Sequence, residues 1–340
     1  MEGLNQEITY EEFRQSVLRD YRIAYESRQA SLTGRKEVLT GKAKFGIFGD
    51  GKEVAQVALA HAFKKGDFRS GYYRDQTFMF ASGLLTVQEF FAQLYAHPDQ
   101  NAEPASAGRL MNGHFSTRLV DESGNFRDLT ALKNSSSDIS PTGGQMPRLL
   151  GLELASKLYR QTPQLRTDKF RKFSISGNEV AFGTIGDAST SEGLFFETIN
   201  AAGVLQVPMA ISVWDDGYGI SVPSKFQTTK QNISEILRGF EKVDERGGYR
   251  IYNGKGWDYP GLIDLYEKGV ALCPTLAAGD AIEQYRGWKK ASMPEPARIT
   301  AKRQSFATAL KVGVRICMGG DVGVYSHGDN VREMALMVEY

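Results

Sequence analysis

The stretch VAFGTIGDASTSEGLFFETINAAGVLQVPMAISVWDDGYGISVP, residues 180–223, decides the fold of this chain. Its apolar beginning, Val180 to Ile185, predicts a buried strand that ends at the turn Gly186-Asp187-Ala188. The polar residues that follow, as far as Glu192, can cap free backbone N–H groups, so they predict the start of a helix. We expect that helix to end just before Gly203, because glycine commonly terminates helices.

A second apolar run, Met209 to Val213, predicts another strand, which leads into the acidic turn Asp215-Asp216-Gly217-Tyr218-Gly219. A strand, a turn, a helix and a second strand in this order form the building block of a parallel α/β sheet. The sequence therefore predicts an α/β fold, a mostly parallel sheet with helices on both faces. Both acidic turns then lie at the carboxyl ends of neighbouring strands, where open α/β sheets bind ligands.

Asp187 and Asp216 are the two acidic residues that this arrangement brings close together. Two carboxylates at such a place can share one divalent cation. The free N–H groups at the start of the helix can hold a phosphate beside that cation. An acidic residue in a turn is common by itself, so the prediction depends on finding two of them on the two strands of a single unit.

The stretch resembles the thiamine-diphosphate motif of the α subunit of 2-oxo acid dehydrogenases, and most of all the branched-chain type. That motif begins Gly-Asp/Glu-Gly and ends further on in Asn-Asn, and the cofactor's diphosphate and its Mg²⁺ lie between. The resemblance implies metal ligands at Asp187, Asp216 and the backbone carbonyl of Tyr218. The other positions of the motif that it places at the cofactor are Gly186, Ala188, Ser189 and Trp214. The implied fold is the thiamine-diphosphate-binding fold.

Two positions depart from the family motif. Ala188 stands where the third-position glycine is usual, and Asp215-Asp216 stands in place of Asn-Asn. Asp216 still offers an oxygen ligand, so the site remains compatible with Mg²⁺. The extra negative charge is expected to alter the affinity for the cation.

Upstream, Gly71-Tyr72-Tyr73-Arg74-Asp75 matches a Tyr-Arg pair that reaches the cofactor diphosphate in the family. The resemblance therefore implies that Tyr73 and Arg74 bind the diphosphate. A guanidinium suits phosphate oxygens, because it presents two parallel donors in one plane. By itself such a pair is more often an ordinary part of a surface loop, so this prediction depends on the motif downstream.

Two further segments match the family. Gly108-Arg109-Leu110-Met111-Asn112-Gly113-His114 resembles the Gly-Arg-x-Met-x-x-His of the branched-chain type, which implies that His114 lines the approach to the active site. A lone histidine is as often a structural hydrogen-bonding residue, so both interpretations of His114 stay open. The loop NSSSDISPTGGQ, residues 134–145, matches a family loop that contacts the cofactor and a monovalent cation. There the resemblance implies cofactor contacts at Ser140 and Thr142.

Local capping patterns predict helices elsewhere in the chain. Thr9 with Glu12, and Thr86 with Glu89, form the pattern of a capping box, in which each side chain satisfies a backbone N–H of the other residue. Residues 49–53, GDGKE, precede another predicted helix. They lack the spacing of a phosphate-binding P-loop.

The composition excludes several classes of protein. A formal net charge of +1 with 24% charged residues describes an ordinary surface, so we expect no nucleic-acid partner. No apolar run is long enough to span a bilayer and Met1 to Thr9 shows no signal pattern, so we expect no membrane partner. The cysteines, Cys273 and Cys317, have no metal or redox spacing, which predicts reduced thiols and a cytoplasmic location.

The family resemblance covers roughly residues 5–273. Relatives continue with a loop that carries a catalytic histidine, and no histidine follows at that position here. The C-terminal tail, residues 274–340, instead resembles a late part of a metal-dependent amidohydrolase, with a strand at Val312 to Met318, then Asp321 and His327. The tail is far too short for the (β/α)8 barrel of about 250 residues, and the chain has no His-x-His motif. We therefore expect neither a complete barrel nor a working amidohydrolase site.

The predicted organisation follows from that boundary. We expect residues 1–273 to form a cofactor-binding domain, and the tail to be a fragment of another protein, joined in a chimeric chain, without a function of its own. We also expect weak packing around Met293 to Lys302.

The resemblance implies oxidative decarboxylation of a 2-oxo acid on thiamine diphosphate, with the acyl group passed to a lipoyl-bearing acyltransferase. In the family a β subunit supplies the glutamate that activates the cofactor, so the expected partner is a β subunit in a heterotetramer. Two other hypotheses stay open. One is a metal-dependent amidohydrolase, which rests on the tail alone. The other is a protein that binds the cofactor without catalysing a reaction. The sequence does not determine which 2-oxo acid is used.

Overall fold

The computed structural model describes residues 9–165, 167–175, 177–207, 209–241, 248–267, 283–284, 286–290, 292–297, 299–300 and 303. The predicted strand Val312 to Met318, the residues Asp321 and His327 after it, and both cysteines lie outside the described residues. The tail interpretation and the domain boundary at residue 273 therefore stay predictions. Of the segment expected to pack weakly, Met293 is half exposed but Ile299 is fully buried, so that expectation is wrong at Ile299.

The described elements alternate between helices and strands. In chain order the helices are α1 (Tyr10–Leu39), α2 (Glu53–Ala62), α3 (Gln76–Ala81), α4 (Val87–Leu94), α5 (Gln145–Gln161), α6 (Gly193–Leu205), α7 (Ile233–Leu237) and α8 (Tyr259–Glu267). The strands are β1 (Phe68–Ser70), β2 (Asn134–Ser135), β3 (Ala181–Gly186), β4 (Met209–Trp214), β5 (Tyr218–Gly219) and β6 (Val222–Pro223). None of the described helices is both long and apolar enough to cross a membrane.

The described residues separate into two units. The first contains the residues up to Arg28, then Lys52–Ala62 and those from Gly254 onward, and the second contains Gln29–Gly51 and Phe63–Asn253. In the first unit, the buried carboxylate of Asp20 on α1 holds the helices together. His61 Nε2 of α2 lies 2.5 Å from Asp20 Oδ2, and the hydroxyl of Tyr259 of α8 donates to the same oxygen.

The sheet of the second unit confirms the predicted parallel α/β fold. Its four strands lie in the order β2-β1-β3-β4, and every neighbouring pair is parallel. On one face, α5 and α6 bury apolar side chains against β3, among them Leu149 and Phe195. Gly183 of β3 permits this approach, because a Cβ there would collide with Leu149. On the other face, the ring of Phe63 contacts Phe182 of β3 and Phe78 of α3, with centroids 5.4 and 5.1 Å apart.

The helix boundaries test the local predictions. Both capping boxes are confirmed: the Glu12 amide donates to Thr9 Oγ1 at 3.2 Å and the Thr9 amide to Glu12 Oε2 at 2.7 Å. The box of Thr86 and Glu89 has the same two bonds.

The prediction that Gly203 ends its helix is wrong, since α6 continues through it to Leu205. Gln206, with a left-handed backbone (φ 49), caps the helix instead. Gly203 has a packing role: a Cβ there would lie 2.7 Å from the hydroxyl oxygen of Tyr249.

A buried glutamate lies at the amino end of the sheet. Glu153 of α5 is completely buried, and its Oε1 accepts from the amide of Ala181, the first residue of β3. Its Oε2 has no hydrogen-bond partner among the described residues. Burial, together with the nearby Asp67 carboxylate and against the effect of the Ala181 amide, raises the pKa of Glu153 to about 9. Glu153 is therefore protonated in the folded protein at neutral pH.

This raised pKa makes stability depend on pH. The unfolded chain releases the proton of Glu153 above the ordinary glutamate pKa and the folded chain retains it, so stability falls as the pH rises from about 4.5 to 9. Glu153→Gln removes that loss, because glutamine stays neutral. We expect the thermal unfolding midpoint of Glu153→Gln to exceed that of the wild type at pH 8, and the gap to close near pH 5.

Thermal melts across this pH range measure the effect. The exposed Glu122→Gln is the matched control, and its difference from the wild type should not change with pH in this way. A constant gap between Glu153→Gln and the wild type would mean that Glu153 is ionised in the folded protein.

Candidate functional site

The carboxyl ends of the parallel strands gather the predicted site residues at one edge of the sheet. The chain leaves β1 into the Tyr73-Arg74 loop and leaves β2 into the loop of Ser140 and Thr142. It leaves β3 at Asp187 and β4 at Asp215-Asp216. Because all four strands are parallel, these four loops share one edge. The structure thus places the Tyr73-Arg74 loop and the loop of Ser140 and Thr142 at the same edge as the two acidic turns.

Asp187 has an unsatisfied oxygen in a buried position. The residue is 5% exposed, and its Oδ2 has no hydrogen-bond partner among the described residues. Its amide donates to the carbonyl of Trp214 at 3.1 Å, which ties the turn after β3 to the end of β4. Burial, together with the carboxylates of Asp215 and Asp216 and against the effect of the Ala188 amide, raises the pKa of Asp187 to about 6. A cation is the partner that would relieve both the unsatisfied oxygen and the repulsion.

The second acidic turn faces Asp187. Asp215 and Asp216 are exposed and fold back on their own loop, where Gly217 N donates to Asp215 Oδ1 at 3.1 Å and Tyr218 N to Asp216 Oδ1 at 3.2 Å. The hairpin of β5 and β6 packs against the turn after β3, since a Cβ on Gly219 would lie 2.6 Å from that of Ala188.

Asp215 was not among the predicted ligands. Its effect on the pKa of Asp187 exceeds that of Asp216, so both members of the acidic pair are close enough to act on Asp187. The signal in the sequence was the Asp215-Asp216 pair itself, whose extra negative charge was expected to alter the affinity for the cation.

The donor set fits a hard cation. Within the described part of the chain, no three His, Cys, Asp or Glu side chains form a cluster that could hold a metal by themselves. Asp187, Asp216 and the carbonyl of Tyr218 would therefore be completed by oxygens of a ligand or of water. Mg²⁺ is commonly held in this way, by one or two carboxylates together with substrate phosphates.

The loop after β1 packs its aromatic rings over the start of the Asp187 turn. Gly186 makes room for Tyr72, because a Cβ on Gly186 would lie 2.8 Å from the Tyr72 hydroxyl. The rings of Tyr72 and Tyr73 are 4.3 Å apart, and the guanidinium of Arg74 lies 6.0 Å from the centre of the Tyr72 ring. Burial raises the pKa of Tyr72, so its hydroxyl remains protonated. Arg74 is thus held at the carboxyl edge beside the acidic turns.

His114 is hydrogen-bonded to a predicted cofactor contact. The ring is 3% exposed, and its Nε2 lies 3.1 Å from Ser140 Oγ. The ring also stacks on Tyr73, with centroids 6.0 Å apart and planes 17° apart. Ser140 and Thr142 are exposed on their loop. The structure therefore joins three separately predicted residues, His114, Tyr73 and Ser140, in one group.

Trp214 and Ser189 are mostly buried. The indole N–H of Trp214 donates to Asp75 Oδ1 at 3.2 Å, so this side chain supports the loop after β1. Ser189 is 8% exposed and belongs, with Ala188, to a short 3-10 turn after Asp187. In that turn, Thr190 N donates to the Asp187 carbonyl at 3.0 Å and fixes the position of the aspartate.

A fully buried arginine, Arg69 of β1, lies beneath the predicted site and was not predicted. Its guanidinium donates to both carboxylate oxygens of Asp138 at 3.0 Å and to Asp75 Oδ2 at 2.8 Å. It also donates to Ser135 Oγ of β2 and to the Tyr72 carbonyl, each at 2.9 Å. Asp75 directly follows Arg74, and Asp138 lies two residues before Ser140. Arg69 therefore fixes two of the loops that carry predicted cofactor contacts.

The glycine at position 71 is the only trace of this network in the local sequence. Gly71 has no space for a side chain, because a Cβ there would collide with the Arg69 guanidinium. Strand β1, Phe-Arg-Ser, is too short and too polar to mark Arg69 as buried, although charged side chains are rarely buried unless they are paired. The identity of its partners could not be read from local spacing.

Comparison with known proteins identifies the family. Residues 27–242 match the family described as dehydrogenase E1 component, and the chain belongs to this family. This confirms the family that the motifs predicted.

Its relatives include α subunits of 2-oxo acid dehydrogenases. The chain is similar to 2-oxoisovalerate dehydrogenase subunit alpha of Bacillus subtilis (strain 168), 30% identical over 205 residues, which are 59% of this chain and 51% of that protein. It is 24% identical to the mitochondrial 2-oxoisovalerate dehydrogenase subunit alpha of Bos taurus over 237 residues, 68% of this chain and 42% of that protein. It is 25% identical to the pyruvate dehydrogenase E1 component subunit alpha of Bacillus subtilis (strain 168) over 251 residues, 69% of this chain and 55% of that protein. The chain spans about half the length of the relatives it matches.

Arg69 generates a stability prediction. Arg69→Met keeps an unbranched side chain but leaves Asp75 and Asp138 buried without their cation. We expect a loss of about 3–5 kcal/mol in the free energy of unfolding, the usual result when one partner of a buried ion pair is removed. Urea denaturation followed by circular dichroism measures it.

Arg171→Met is the matched control for this measurement. Arg171 pairs with Asp168 on the surface, where the two side chains are 81% and 90% exposed, and removing an exposed pair should change stability by less than about 1 kcal/mol. Equal losses in the two variants would show that the buried pairs contribute no more than a surface pair.

Proposed function

We propose that this chain is the α subunit of a 2-oxo acid dehydrogenase, which decarboxylates its substrate on thiamine diphosphate and passes the acyl group to a lipoyl carrier. The observation that carries the proposal is the buried, unsatisfied Asp187 carboxylate facing the Asp215-Asp216 turn. It lies at the sheet edge shared with the Tyr73-Arg74 loop. The family match supports the class of reaction.

The metal and the diphosphate of the cofactor each have residues of this chain that would hold them. Asp187, Asp216 and the carbonyl of Tyr218 would hold Mg²⁺, and Asp215 adds a further charge beside them. Tyr73 and Arg74 would bind the diphosphate, whose charge matches the guanidinium. Ser140 and Thr142 offer hydroxyls on the adjacent loop. The role of that loop in binding a monovalent cation stays a prediction.

Thiamine diphosphate supplies, when bound, a nucleophilic carbon and an electron sink for the loss of CO₂. The chain itself orients the cofactor and holds a proton near it. His114 Nε2 and Ser140 Oγ, 3.1 Å apart, can exchange a proton, and the stacked Tyr73 fixes the plane of the imidazole. The buried position of His114 excludes bulk water from one side of this pair.

The partners follow from the same proposal. Relatives of this chain are named as α subunits, which supports an assembly with a β subunit and delivery of the acyl group to a lipoyl-bearing acyltransferase. The 30% identity to a 2-oxoisovalerate dehydrogenase subunit favours a branched-chain 2-oxo acid over pyruvate. The amidohydrolase hypothesis depends on Asp321 and His327, outside the described residues, and no described feature favours it.

The metal assignment predicts the effect of removing Asp187. Asp187→Ala should abolish the Mg²⁺-dependent binding of thiamine diphosphate in isothermal titration calorimetry, because the cation loses its one buried carboxylate ligand. Asp168→Ala, at a 90% exposed surface position, is the control and should bind as the wild type does. Retained Mg²⁺-dependent binding by Asp187→Ala would remove Asp187 from the site.

The diphosphate assignment predicts the effect of removing Arg74. Arg74→Ala should weaken cofactor binding by about 1.5–3 kcal/mol, the usual contribution of a hydrogen bond to a charged group. The dissociation constant is measured at saturating Mg²⁺, with Arg171→Ala as the control for loss of one positive charge. An unchanged constant would make Arg74 an ordinary residue of the loop.

A further inference from the structure

The turn Asn112-Gly113-His114 packs against the loop that carries Tyr73. Gly113 has a left-handed backbone (φ 83), and a Cβ there would lie 2.6 Å from the Tyr73 carbonyl oxygen. Glycine allows this approach without strain, because it has no Cβ. Next to it, Oδ1 of Asn112 accepts from the amide of Ile47 at 3.0 Å. The turn is therefore held close to Tyr73, whose ring stacks on that of His114.

Gln93 of α4 binds the backbone of this turn at two points. Its Nε2 donates to the His114 carbonyl at 2.5 Å, and its Oε1 accepts from the Gly113 amide at 2.8 Å. The side chain is buried, so bulk water does not compete for these bonds. A carbonyl can only accept and a backbone N–H can only donate, and a primary amide offers one group of each kind. Gln93 therefore satisfies two peptide groups of the turn at once.

Helix α4 keeps Gln93 in a fixed position. Phe90, one turn earlier, is completely buried, and its ring lies 6.0 Å from that of Phe80 and 6.3 Å from that of Phe48. Residues three positions apart lie on the same side of a helix, so Gln93 extends from the face that Phe90 anchors. The helix also begins with a complete capping box, which stabilises its first turn. Packing thus holds the helix that presents the Gln93 amide.

The surroundings of His114 favour one tautomer of its ring. Nδ1 faces the Asn112 carbonyl oxygen at 3.5 Å, and Nε2 lies 3.1 Å from Ser140 Oγ. Because a carbonyl oxygen cannot donate, the ring proton is favoured on Nδ1. Nε2 then has a free lone pair, which can accept the hydroxyl proton of Ser140. The direction of the Asn112 carbonyl therefore decides which way this pair can move a proton.

Gln93 fixes the direction of that carbonyl. The carbonyl of Asn112 and the amide of Gly113 belong to one planar peptide group, so the bond from Gly113 to Gln93 Oε1 orients both. We propose that Gln93 is a positioning residue, which keeps the His114 proton on Nδ1 and leaves Nε2 open to Ser140. The part that this pair plays in catalysis rests on the proposed function, whereas its geometry does not.

NMR of the whole chain labelled with ¹⁵N-histidine tests the proposal without cofactor or partner. The chain has four histidines, so the variant His114→Gln identifies the signals of this ring. At alkaline pH the wild-type ring should carry its proton on Nδ1. Gln93→Met has a side chain of similar length and no amide, so it should shift the ring toward the tautomer protonated on Nε2. A wild-type ring protonated on Nε2, or unchanged ring signals in Gln93→Met, would overturn the proposal.

Two further variants separate positioning from packing. Gln93→Glu keeps an acceptor for the Gly113 amide in either charge state, so it should retain the proton on Nδ1 of His114. A ring that behaves in Gln93→Glu as it does in Gln93→Met would contradict the role assigned to the Gly113 bond. Gln88→Met, at an exposed position of the same helix, is the matched control and should leave the ring signals unchanged.

The activity of the chain assembled with a β subunit tests the catalytic consequence. In Gln93→Met, kcat should fall about tenfold or more, because general acid–base catalysis contributes roughly 10²- to 10⁴-fold. The dissociation constant of thiamine diphosphate should stay unchanged. An altered tautomer with unchanged kcat would remove the pair of His114 and Ser140 from the reaction. If the wild type shows no decarboxylation, the proposed function fails, and the NMR result still decides the role of Gln93.

Discussion

The carboxyl edge of this sheet depends on one buried ion-pair network. The guanidinium of Arg69 lies in β1 and binds Ser135 of β2 and the loop beyond it. Through Asp75, it is linked to Thr184 of β3 and Trp214 of β4, so one cation connects the ends of all four strands. Burying an isolated charge costs several kcal/mol, so the network is stable only when its partners are all present. That requirement fixes the loops relative to one another.

The carboxylates bound to Arg69 are fully hydrogen-bonded, and Asp187 near them is not. Asp75 and Asp138 are buried like Asp187, but their carboxylates accept hydrogen bonds from Arg69 and from backbone amides. Asp187 Oδ2 has no such partner among the described residues, although the pKa of this carboxyl is raised and two more carboxylates face it. Buried polar groups in folded proteins are normally paired. The contrast supports a bound cation as the missing partner, next to a loop that presents Arg74.

The two edges of the sheet differ in their chemistry, and α5 extends between them. At its beginning, Gln145 donates to Thr184 beneath the acidic turns, where the proposed cofactor would lie. Two turns along the helix, at the amino edge, Glu153 is protonated because it is buried. The carboxyl edge therefore combines acidic side chains with Arg74, whereas the amino edge buries a glutamate that is neutral at pH 7. The acidic side chains of the carboxyl edge suit a cation there.

Local sequence was enough to predict the βαβ unit, the two acidic turns and both capping boxes, because each depends on apolar periodicity or on residues a few positions apart. It failed at Gly203, where a glycine that normally ends a helix is kept inside α6 by packing against Tyr249. Local sequence also could not predict the partners of Arg69, because Asp138 is 69 positions away from it. The bond from Trp214 to Asp75, another partner of Arg69, spans 139 positions. Such contacts are set by the strand order β2-β1-β3-β4, which no local pattern specifies. The sequence thus predicted that the acidic side chains lie at the strand ends. Tertiary packing determined which side chains there are hydrogen-bonded and which have no partner, because those partners are distant in the sequence.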